Sequence, residues 1–236
     1  MNSLLVARRV ERTPKSQRWP ARTTITVLLA SIVGVSGCIS RPPLNRQTFT
    51  FSAQATAATN VFASDRVVAI RKFQIAPPFD GRSLVYRTGE FSYARDPYAE
   101  FLDLPDEGLR AEVRGLLRQD GAFGAVLEAG SALKANTLAE ISVSELFGDF
   151  RGTEHPAAVL TMRFVFLDAP EGVPENPILE REYSRRIALN ARTAAALVEG
   201  WNKALAEICA EASTDFRHSE TTGRGGEVHL NHSARE

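Results

Sequence analysis

Between residues 137 and 211 the spacing of apolar side chains changes from two to nearly four, and this change constrains the fold more than any other feature of the chain. Residues 137–143 alternate through Ala139, Ile141 and Val143, and residues 158–167 alternate through Leu160, Met162, Phe164 and Phe166 against Thr161, Arg163 and Val165. Residues 178–189 place Leu179, Tyr183, Ile187 and Leu189 on one side and Glu180, Glu182 and Arg186 on the other. Side chains two apart share a face of a strand, so these segments predict three half-buried strands, antiparallel to their neighbours. The Pro- and Gly-rich residues 169–177 join the last two as a loop too long for a tight turn. In 192–211 the period becomes helical: Ala194, Leu197, Val198, Trp201, Leu205 and Ile208 form one stripe, with Glu199, Lys203, Glu207 and Glu211 outside it. A helix with one apolar stripe closes a core by lying on the apolar face of a sheet.

Upstream, residues 48–52 alternate and 66–75 supply a second strand with Val68 and Ile70 on one face. Pro77, Pro78 and Asp80-Gly81 force a turn. Residues 83–86 form a short strand with 90–93 as its hairpin partner. Leu109, Val113, Leu116 and Leu117 make one stripe of a helix over 106–119, with Asp106 and Glu107 at its positive end and Asp120-Gly121 as its stop. Residues 123–127 add another short strand. The order predicts an α/β protein, α+β by element order: one compact domain over 47–212, with a mixed, mainly antiparallel sheet against two main helices. The polar stretch 213–236, with Gly223, Gly225 and Gly226, reads as a disordered tail.

The N-terminal part says where such a domain would work. Residues 1–24 carry Arg8, Arg9, Arg12, Lys15, Arg18 and Arg22 against Glu11 alone. The apolar run 23–35 that follows would reach roughly 20 Å as a helix, short of the roughly 30 Å of a bilayer core. It ends in Val35-Ser36-Gly37-Cys38, a lipobox: small residues before a cysteine whose thiol is acylated before cleavage. This predicts a lipoprotein signal peptide over 1–37 and a lipidated tether over 38–46, with covalent lipid on Cys38 and no other cofactor. Ile39 after the cysteine, rather than Asp, resembles the sorting pattern for the periplasmic face of the outer membrane rather than retention at the inner membrane.

The whole chain holds 28 Lys plus Arg and 28 Asp plus Glu, but the part after residue 37 is net acidic, which argues against nucleic acid as a partner. Cys209 is the other cysteine. With Cys38 lipidated no disulfide can form within the chain, and Cys209 reads as a small buried hydrophobe. His155, His218, His229 and His232 are poor candidates for a metal site: three lie in the polar tail, where His229 and His232 are spaced i, i+3 but have no folded carboxylate or cysteine near them in sequence. Gly121 and Gly124 do not make a phosphate loop, no Gly-x-Ser-x-Gly elbow is present, and Asp103, Asp106 and Glu107, like Glu180 and Glu182, read as solvated faces. The residues point to binding or scaffolding rather than an enzyme. A second reading is a lipid-binding module, with Leu197, Trp201, Leu205 and Ile208 either lining an apolar groove or simply forming core. A third is an envelope hydrolase built on His155.

The lipobox, the element order and the stretch Val67-Val-Ala-Ile-Arg-Lys-Phe-Gln-Ile-Ala-Pro-Pro-Phe-Asp-Gly-Arg-Ser-Leu-Val-Tyr-Arg87 together resemble the ABC-type transport auxiliary lipoprotein family, known also from the paraquat-inducible operon. The opening Thr48-Phe49-Thr50-Phe51 looks like that family's first strand, and Tyr98 stands where the family often has Trp. The resemblance implies an auxiliary lipoprotein that partners an MCE-domain protein and its ABC permease and ATPase, at a phospholipid membrane, and it leaves a homo-oligomer open.

Overall fold

One long strand organises the sheet. The structure is a computed structural model and describes residues 46–55, 64–128, 131–152, 155–172 and 174–232, with side chains described up to residue 222. Its elements in chain order are β1 (Gln47–Phe49), β2 (Val67–Ile75), β3 (Ser83–Arg87), β4 (Tyr93–Phe101), α1 (Pro105–Asp120), β5 (Ala125–Leu127), β6 (Thr137–Asp149), β7 (Ala157–Asp168), β8 (Asn176–Ala188) and α2 (Ala194–His232). Along one edge β6 pairs antiparallel with β7 from Thr137↔Asp168 to Asp149↔Ala157, and β7 pairs antiparallel with β8. Two strands share the other edge: β2 runs parallel to its first half and β3 parallel to its last residues, Gly148 and Asp149. Between them the chain leaves the sheet through a cis Pro77-Pro78 turn. β5 flanks β2 in parallel, β4 flanks β3 antiparallel, and β1 flanks β4 in parallel. The result is one α/β domain with a mixed sheet against two main helices. Its longest ladders are antiparallel, as the alternation predicted.

The inner face is apolar because the alternation holds through each strand. Leu160, Met162, Phe164 and Phe166 of β7 are wholly buried, as are Ala139, Ile141 and Val143 of β6 to within a percent of exposure. At Ser144 the pairing with β7 shifts by one residue. This bulge moves Leu146, instead of Glu145, onto the inner face.

Helix α1 starts with Pro105, whose fixed φ suits the first helical turn, and stops at Gly121, which takes a φ of 74°. It buries Leu109, Val113, Leu116 and Leu117 against α2, β2 and β5. Helix α2 lies on β7 and β8. Its approach to the sheet is close: a Cβ on Gly200 would stand 2.7 Å from both Ala158 Cβ and Leu189 Cδ2.

Two expectations need correction. The partner of β3 begins at Tyr93 and runs to Phe101, not over 90–93. Residues 213–232, within the stretch read as a disordered tail, are helical: α2 continues through them to His232, and Ser213 and Phe216 are wholly buried. Phe216 extends the stripe of Trp201, Leu205 and Ile208 at helical spacing, and its ring centroid lies 4.6 Å from Phe123 and 5.0 Å from Phe166. The apolar contact outweighs the polar composition around it. The lipobox residues Val35, Ser36, Gly37 and Cys38, with the rest of segment 1–37 and tether residues up to 45, lie outside the described residues.

Candidate functional site

At one end of the sheet, where β3, β6 and β8 finish and α2 begins, four arginines gather, two of them on one buried carboxylate. Asp149 ends β6, and its side chain is only 3% exposed. Arg151 donates to it three times: from its backbone N–H to Oδ1 at 3.3 Å, from Nε to Oδ1 at 2.9 Å and from Nη2 to Oδ2 at 2.7 Å. Arg186 of β8 adds Nη1 to Oδ2 at 2.6 Å. The Arg151 hydrogen bonds, joined by those of Arg186, outweigh the desolvation of the site and hold the carboxyl well below the usual aspartate range.

Arg87 is the register partner of Asp149 across the β3–β6 ladder. Its Nη2 donates to the Glu90 carbonyl at 2.7 Å, its guanidinium lies 5.9 Å from the Tyr93 ring centroid, and its buried Nε has no hydrogen-bond partner. Arg192 lies over the Phe150 ring at 4.7 Å and donates to the carbonyls of Phe150, at 3.0 Å, and Gly152. The Glu90 carboxylate is within Coulombic reach of Arg151. Arg151 and Arg186 thus hold the Asp149 carboxylate, while Arg87 and Arg192, which are bound to backbone carbonyls, sit on the neighbouring segments near the positive end of α2. At the tip of the β3–β4 hairpin, next to Glu90, Phe91 is 89% exposed. Sequence reasoning missed this cluster, because its members come from four separate segments and share no motif.

The candidate residues read from the sequence fall as follows. Leu197, Trp201, Leu205 and Ile208 are wholly buried members of the core, and Trp201 Nε1 donates to the Val159 carbonyl at 3.1 Å. Cys209 is buried, and that burial pushes its thiol up, away from reactivity. His155 is exposed between β6 and β7, and His218 is exposed on α2. An open cleft of about 590 Å³ beside β8 is lined by Leu179, Arg181, Asp215 and His218 among others. There Asp215 accepts from Arg181 at 2.5 Å and from the Tyr183 hydroxyl at 2.9 Å. Among the described residues, no group of three or more His, Cys, Asp or Glu is placed to hold a metal ion, and no helix is long and apolar enough to cross a membrane.

No family model and no curated protein matches the chain. Solved structures do. XCC0632 from Xanthomonas campestris, a protein of the DUF330 family, is 14% identical and superposes with a TM-score of 0.64, covering 76% of this chain and 99% of its own. A protein described as uncharacterized is 16% identical, with a TM-score of 0.51 over 73% of this chain and 98% of its own. At such identities the likeness is one of fold. The class so defined is a single α/β domain whose mixed sheet packs on two main helices, as in the Xanthomonas protein.

Proposed function

We propose that this chain is a lipid-anchored, non-enzymatic envelope lipoprotein that docks onto an MCE-type ABC lipid transporter from the periplasmic face of the outer membrane. The observation that carries the reading is the lipobox ending in Cys38, placed ahead of a single domain that begins at β1. The sequence resemblance to transport auxiliary lipoproteins supplies the partner: an MCE-domain protein with its permease and ATPase. The burial of Trp201 and its neighbours leaves the lipid-groove reading without an observation in its favour.

The test is cross-linking in growing cells followed by purification from detergent extracts. The reading expects an MCE subunit to be recovered with the wild-type chain. Repeated recovery of none would overturn it.

A further inference from the structure

We propose that the arginine end of the sheet, with Phe91 at its tip, binds the surface of a bilayer containing anionic phospholipid. Guanidinium groups on phosphate form paired, charge-assisted hydrogen bonds. Arg151 and Arg186 are held by Asp149 yet keep 41% and 52% of their side chains exposed, so each is positioned and still has donors to offer outward. Asp149 fixes these arginines without neutralising the cluster, since Arg87 and Arg192 stand beside them. This cationic end belongs to a domain that is net acidic, so the charge is concentrated rather than general.

An exposed phenylalanine next to such a cluster fits the boundary between headgroups and acyl chains, where an aromatic ring loses water while arginines reach phosphate.

The inference is independent of the transporter partner. The purified full chain carrying Phe91→Trp is added to vesicles of phosphatidylcholine alone, or of phosphatidylcholine and phosphatidylglycerol in equal parts, and its emission is compared with that of the unsubstituted chain. The expected result is a blue shift of the tip tryptophan, and its quenching by brominated acyl chains, on the anionic vesicles only. Arg151→Gln and Arg192→Gln should each weaken the response about fivefold, the effect of one basic residue near an anionic surface. Arg151→Lys should retain most of it, and Glu90→Gln should strengthen it.

An equal response on both vesicles, or one unchanged by the glutamine variants, would overturn the proposal. So would calorimetric binding of inorganic phosphate without any tip response, which would mark a site for free anions instead. If a glutamine variant fails to fold, the Arg151→Lys and Glu90→Gln comparisons carry the test. Failure here would leave the cross-link to an MCE subunit intact, and loss of that cross-link would leave the vesicle response intact.

Discussion

Asp149 concentrates much of the local chemistry of this chain in one side chain. Its carboxylate ends β6, is almost fully buried and accepts from Arg151 and Arg186. Asp149→Asn keeps the shape and removes the charge. Because the two arginines are about half exposed and solvent screens them, the expected loss is at the lower end for such a bond set, roughly 2 kcal/mol near neutral pH. The pH dependence has a definite sign. Folding lowers the proton affinity of this carboxyl, so its stabilisation is complete above about pH 4, the ordinary aspartate value, and is lost as pH falls toward the folded value. The gap in Tm between wild type and Asp149→Asn should therefore hold steady above about pH 5 and narrow as pH falls from about 4 toward about 2. A gap constant over that range would mean the charge is not what stabilises the site. Asp149 was invisible as a site in the sequence, since nothing near it but Arg151 signals the pairing.

At the scale of elements, the informative one is the second half of α2. Phe216→Ala removes a wholly buried ring that touches Phe123 and Phe166, and a loss of about 3–4 kcal/mol in urea unfolding is expected. A change within a few tenths of a kcal/mol would restore the disordered tail read from composition. Why that reading erred is physical: one phenylalanine in a run of Ser, Thr, Asp and Arg carries little weight in a composition, yet it lies on the stripe of Trp201 and Ile208. Elements with unbroken period were legible, as Leu160–Phe166 in β7 and Leu109–Leu117 in α1 illustrate. Legibility ended where the period broke. β6 was read only to Val143, because the bulge at Ser144 shifts the phase, and β4 escaped because Pro97 and a mostly exposed face leave no alternation until Ala99 and Phe101.

For the whole molecule, the expected consequence of the lipobox is placement. Cys38→Ala should abolish labelling by a fatty-acid analogue and leave an uncleaved or soluble precursor, while the unfolding of the α/β domain stays as in wild type. The tethered contact with a partner should weaken by roughly 10²–10⁴-fold, the scale of lost effective concentration. Labelling at the wild-type level would exclude Cys38 as the acylated residue. The shape of the core adds a constraint of timing. Leu160, Phe164 and Phe166 on the sheet are covered by Trp201, Leu205 and Phe216, which lie in the last helix of the fold. A chain made and delivered from its N-terminus therefore carries a completed but uncovered sheet surface until α2 arrives. The packing of this final helix is therefore what closes the core.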